Sequence, residues 1–148
     1  MIQLLIHHGG DIHASSRNGV SCFHLACVSG NIEVVQYLLV EHGFDCRIKS
    51  SASGSQPIHV ATNAGHRHVV EYLMTVCGVD PTAQDRNGEN CLTLAIKNRK
   101  RDVAIWLIRT GKFPLVQTIH RRGFNYFSYA IVKGQQVVAN EILQYLRE

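Results

Sequence analysis

One alanine returns down this 148-residue chain at a nearly fixed interval. Ala26, Ala61, Ala95 and Ala130 are separated by 35, 34 and 35 residues, a period that belongs to stacked arrays of one repeated unit. Gly19, Gly54, Gly88 and Gly123 keep the same beat seven residues earlier. Between them sit the apolar residues Phe23, Ile58, Leu92 and Phe127. Twelve residues after each alanine an aliphatic pair begins: Leu38-Leu39, Leu73-Met74, Leu107-Ile108 and Ile142-Leu143. Four residue classes in phase constrain the chain to an array whose units touch their neighbours. Such an array presents a binding surface rather than a catalytic pocket.

The first unit shows the local physics. Asn18-Gly19 opens a tight turn, because both residue types tolerate positive φ. Phe23, Ala26 and Cys27 then lie three and four apart, one face of a short helix. Gly30 ends that helix as a left-handed cap. Ile32, Val35, Leu38 and Leu39 mark a second helix that closes at Gly43. Two short antiparallel helices and an extended turn make one unit. Alanine at the contact position lets neighbouring helices approach closely.

These residues carry a resemblance. Each unit resembles an ankyrin repeat, with its signature G-x-T-P-L-H-x-A-A-x-x-G-H followed by V-x-x-L-L-x-x-G-A-D. Residues Gly54 to His66 match most closely, through Pro57, Ile58, His59, Ala61 and Gly65, and continue into Val69, Val70, Leu73, Met74, Gly78 and Asp80. Gly19 to Asp45 matches well, with Cys22 where proline is usual. Gly88 to Gly111 keeps Leu92, Ala95, Val103 and Leu107. It has Thr93 for the signature histidine and Arg99-Lys100 for the Gly-His turn. Gly123 to Leu146 is the most divergent. The resemblance implies an all-α ankyrin-repeat solenoid of stacked helix-turn-helix units with extended finger turns, forming a single domain over 1–148. Its units are a partial repeat at 1–14, repeats at 15–47, 48–82 and 83–113, and a divergent terminal repeat at 114–148. Residues 1–14 match only a second helix and the start of a finger. A helix is therefore expected near residues 1–8, and the chain is expected to be a fragment of a longer protein or the product of a truncated gene model. Gly111 to Gly123 spans two residues more than Gly78 to Gly88 and contains Pro114, so the last finger should bulge.

Composition narrows the function. Apolar residues make up 45% and charged residues 18%, a globular balance. No run reaches the roughly 18 apolar residues of a membrane span, and MIQLLIHHGG lacks the basic start and cleavage site of a signal peptide. Five cysteines, an odd number without a CxxC pair, fit free thiols in a reducing compartment. An intracellular location, cytoplasmic or nuclear, follows as an expectation. Residues 1–78 hold four Lys/Arg against five Asp/Glu, and residues 79–148 hold eleven against six. The C-terminal half should therefore attract an acidic partner.

Nine histidines and five cysteines show no zinc spacing. The resemblance gives the histidines structural roles: His24 and His59 bonding backbone groups of adjacent fingers, His66 packing at a helix-to-helix turn. No nucleophile, base and orienter are implied by spacing, so no catalytic residue, metal or cofactor is expected. The run Lys97-Asn-Arg-Lys-Arg101 reads either as a solvated turn or as a nuclear-localisation or nucleic-acid patch.

The reading is a non-catalytic protein–protein recognition module or scaffold. What the resemblance implies is a concave face of finger tips and first helices. Its partner-binding candidates are Arg86, Asn87, Glu89, Lys97, Asn98, Arg121, Arg122, Phe124 and Lys133. Arg86, Arg121, Arg122 and Phe124 are the expected anchors, since arginine and aromatic residues dominate interface energetics. Reversing Arg121 and Arg122 should weaken binding more than reversing Arg47 and Arg67. The partner is another protein, acidic in character; no small-molecule substrate is expected, and nucleic acid is disfavoured. The alternative is a regulatory or targeting ankyrin segment of a larger enzyme, channel or transferase. A third is binding to an anionic membrane or nucleic acid.

Overall fold

The computed structural model describes residues 10–119 and 123–148. The helix expected near residues 1–8, and Arg121 and Arg122, lie outside the described residues. Among those described there are eight helices and no strand beyond an isolated bridge between Ser15 and Ser21. They come in four pairs: α1 (Cys22–Ser29) with α2 (Ile32–His42), α3 (Pro57–Ala64) with α4 (Arg67–Thr75), α5 (Cys91–Lys97) with α6 (Arg101–Arg109), and α7 (Tyr126–Val132) with α8 (Gln136–Arg147). The fold is the all-α stacked helix-turn-helix array that the repeat predicts.

The phase of the alanines becomes geometry here. Each is the fifth residue of its first helix, and all four are buried. The first helices stack in series, α1 on α3, α3 on α5 and α5 on α7. A methyl group at the crossing lets the backbones approach, where a larger side chain would force them apart. Leu38, Leu73, Leu107 and Ile142 occupy matching places in the second helices and are fully buried. One continuous core thus runs along the array, each pair covering its neighbour.

The fingers are joined by repeated backbone bonds. Gly19 donates to Ser16, Gly54 to Ser50 and Gly88 to Asp85. The second finger holds one more residue than the first and third in this turn, which makes the first alanine interval 35 rather than 34. Neighbouring fingers are stitched by Ala52 N–H to Asn18 O at 3.2 Å and by Arg86 N–H to Ser53 O at 2.9 Å.

His24 and His59 tie the fingers to the helices. The backbone N–H of Gln56 donates to His59 Nδ1 at 2.9 Å, and that of Ser21 donates to His24 Nδ1 at 3.2 Å. With Nδ1 an acceptor, the ring proton sits on Nε2. From there His59 donates to Ala83 O at 2.8 Å and His24 to Ser55 O at 3.1 Å. His66 Nε2 meets Val28 O at 2.8 Å across the first helix-to-helix turn. These are the structural roles that the resemblance implies for the three histidines.

Candidate protein-binding groove

A groove of about 380 Å³ opens where the fingers meet the first helices. Three helices line it: His24 comes from α1, and α3 and α5 each contribute one face. On α3, Val60 and Asn63 lie three apart. Leu94 and Lys97 of α5, and Asn98 at its C-terminal cap, lie three and four apart, so they share a face too. The fingers add Val20, Ser50, Ser53, Ser55, Asp85, Asn87 and Glu89. The stacking of α3 on α5 brings these residues together, and Asn98 Nδ2 donates to Asn63 Oδ1 at 2.8 Å across the pair.

Asp85 organises the third finger. Its Oδ1 accepts the backbone N–H of Asn87 at 2.8 Å and of Glu89 at 3.0 Å. Glu89 follows the positive-φ Gly88 and turns inward, leaving the residue 5% exposed. Its Oε1 meets Lys97 Nζ at 3.4 Å, and Lys97 keeps a side chain 46% exposed. Tyr129 of α7 stands close enough for the Glu89 charge to add to burial in raising its hydroxyl pKa. His24, on the groove wall, is held below its ordinary pKa by burial, its bond to Ser55 O acting in the other direction. The groove is therefore polar and carries both signs of charge.

Asn87, Glu89, Lys97 and Asn98 come together here. Glu89 does not stand out as an exposed finger residue: it lies beneath the surface and holds Lys97. Arg86 is exposed at the finger tip and does not line the groove; its Nη1 reaches back to Ala52 O at 3.3 Å. Phe124 is half-buried and packs against the core. Lys133 sits with its ammonium 5.5 Å from the Tyr129 ring centroid, a cation–π distance. Arg121 and Arg122 lie outside the described residues. Residues 98–100 form the turn between α5 and α6, and Asn98, Arg99 and the flanking helix ends Lys97 and Arg101 are exposed.

Sequence reasoning missed Asp85, Val60 and Leu94 as groove residues. The signal was present: position 60 pairs with 63, and 94 with 97 and 98, at helical spacing. Arg47 and Arg67 also prove unsuitable as inert controls. Arg47 Nη2 donates to Gly78 O at 2.9 Å, tying adjacent units, and Arg67 lies 5.5 Å over the Trp106 ring.

Among the described residues, no group of three or more His, Cys, Asp or Glu is placed to hold a metal ion. Among the same residues, no helix is long and apolar enough to cross a membrane.

Fold and groove together define a repeat protein whose surface serves recognition. The family described as Ankyrin repeats (3 copies) matches residues 1–85 and again residues 58–148, so the chain belongs to the ankyrin-repeat family. Ankyrin repeats are in general non-catalytic modules that bind other proteins. A stretch of 41 residues is 42% identical to part of the Potassium channel AKT1 of Oryza sativa subsp. indica, and the same holds for that of subsp. japonica. The stretch is 28% of this chain and spans 4% of the channel's length.

Proposed function

We propose that this chain is a recognition module that docks a partner protein along the finger and first-helix groove, with acidic groups of the partner meeting the cations around it. The observation that carries the reading is the convergence of three fingers and three first helices on one polar groove. Arg86 at the finger tip and Lys97 at the end of α5 supply described positive charge nearby. Lys133 adds charge on α7, and Arg121 and Arg122 belong to the same proposal by their place in the sequence. Gathered cations speed encounter with an acidic partner and make it sensitive to salt. The likeness to the potassium channel covers too little of the chain to favour a channel segment over a free-standing module.

The test begins with a partner selected against the full chain from a displayed protein library. Asn63→Arg with Asn98→Arg, which crowds the groove, should abolish binding. Gln36→Arg on the exposed side of α2 should leave it intact. Association should slow as salt rises, since the Debye length shrinks from about 10 Å at 0.1 M to about 3 Å at 1 M. Reversing Arg121 and Arg122 should weaken the complex. A partner indifferent to the groove pair would move the docking surface elsewhere on the array.

A further inference from the structure

The floor of the groove holds an acceptor whose needs are not met. Glu89 is 5% exposed, and among the described residues its Oε2 has no hydrogen-bond partner. Its Oε1 has one cation, Lys97 Nζ at 3.4 Å. A well-made bond between an ammonium and a carboxylate is about 2.7–2.9 Å, so that contact is loose. A buried polar atom without a partner costs free energy, and more so when charged. Native chains satisfy the great majority of such atoms.

The surroundings say what would satisfy it. Among the groove-lining residues Asp85 and Glu89 are carboxylates and Lys97 is the ammonium. His24, the remaining titratable group on the wall, is held neutral by burial and by its acceptor Nδ1. The lining therefore has one negative charge more than it has positive. Asp85 already takes two backbone N–H groups on one oxygen. Glu89 is the group left wanting a donor, and a cation is the donor it wants.

Lys97 is suited to give way. It ends α5, its side chain is 46% exposed, and it holds a single carboxylate oxygen at long range. An ammonium is a point charge on a flexible stem. A guanidinium is a planar fork whose two parallel N–H bonds match both oxygens of one carboxylate. Resting on the reading of this groove as the docking surface, we propose that Glu89 is a subsite for a basic side chain of the partner, an arginine in preference to a lysine. This side chain displaces Lys97 and takes both carboxylate oxygens. Lys97, released, is then free to meet an acidic group beside that arginine. The partner is thus an acidic segment that carries one arginine at its point of deepest contact.

The experiment uses the full chain, labelled with ¹⁵N, and three probes: acetyl-arginine amide, acetyl-lysine amide and the neutral isostere acetyl-citrulline amide. Amide shifts at Glu89, Lys97 and Asn98 should saturate with the arginine probe, respond more weakly to lysine, and stay still with citrulline. Lys97→Met removes the competing ammonium and should tighten arginine binding severalfold. Glu89→Gln should abolish it while the spectrum remains that of the folded array. Two results overturn the proposal. One is an arginine probe that moves no groove amide in either the parent or Lys97→Met. The other is a response that citrulline reproduces or that survives Glu89→Gln. A library-selected partner separates this subsite from the wider reading. If the Asn63→Arg/Asn98→Arg pair abolishes that partner's binding and Glu89→Gln leaves it unchanged, the groove stands and the subsite fails. If neither variant matters, both fail.

Discussion

Asn90 Nδ2 donates to the hydroxyl of Tyr126 at 2.7 Å, and both residues are buried. This bond replaces one that the sequence had removed. In the first two repeats a histidine spans to the next finger, His24 to Ser55 and His59 to Ala83. The third repeat has Thr93 instead. Its Oγ1 still accepts the Asn90 N–H at 2.8 Å, as a histidine Nδ1 would, but it has no second arm. The crossing passes to the Asn90 side chain, which meets Tyr126 at the position held by Pro57 in the second repeat.

Tyr126→Phe should therefore destabilise the array between the third and fourth pairs. It leaves a buried amide N–H unpaired, which costs about 1–3 kcal/mol. Urea unfolding reads the shift in midpoint. Native-state amide exchange should show the loss concentrated in α7 and α8. An unchanged midpoint would remove the bond from the list of what holds this junction.

Stability should fall on mild acidification. Burial is the larger influence on His24 and His59, pushing both below the ordinary value of 6.5, while the carbonyls they bond pull the other way. Protonating Nδ1 would also set a new N–H against the backbone N–H that it now accepts. As pH drops through about 6.5 the unfolded chain takes up protons that the folded chain refuses. The contribution is fully present above about 6.5 and lost progressively below it. Urea midpoints on either side of that pH measure the effect, and His59→Gln should flatten the slope. A chain that gains stability as pH falls through this window would contradict the tautomer assigned here.

The buried thiols should be inert. Burial pushes Cys27 and Cys91 up to about 12, and the thiolate is the reactive form. Cys46 is also pushed up to about 12, by burial first and then by its neighbour Cys77. Iodoacetamide at neutral pH should leave Cys91 unmodified in native protein and label it once urea opens the array. Mass spectrometry of the labelled peptides decides, and fast native labelling of Cys91 would mean that α5 opens far more readily than its burial allows.

The repeat was legible because stacking imposes it on the sequence. Ala61 and Leu73 lie under neighbouring helices, so their size is fixed by contact and recurs at each unit. The groove was legible in part, for a physical reason. Finger and first-helix positions carry no such constraint, and side-chain direction there depends on the local turn. Asn87 and Asn98 line the groove as exposed residues, whereas Glu89 lines it from beneath, since the turn at Gly88 sends it inward to Lys97. Neither charge count nor spacing reveals that a carboxylate beside a lysine will be left with an unpaired oxygen.

The turn between helices offers a controlled comparison. Gly30, Gly65 and Gly134 each follow their alanine by four residues, and all have positive φ. Gly30 is at φ 74°, and a Cβ added there would fall 2.5 Å from His66 Nδ1, the ring whose Nε2 meets Val28 O. Gly134 is at φ 69° with nothing within 4 Å of such a Cβ. Alanine at either site meets the left-handed backbone penalty of about 1–2 kcal/mol. At Gly30 it must also push His66 off its carbonyl, so Gly30→Ala should cost more than Gly134→Ala. The third repeat runs the experiment in reverse. Arg99 occupies the matching position at φ 58°, bearing a strain that glycine would relieve. Arg99→Gly should stabilise the chain by up to about 1 kcal/mol, the relief being partly offset by the greater freedom of glycine in the unfolded state. Urea midpoints of the three variants give the order directly. Equal losses at Gly30 and Gly134 would show that His66 yields without penalty. A loss at Arg99→Gly would show that the arginine side chain holds the turn by contacts that outweigh its backbone strain.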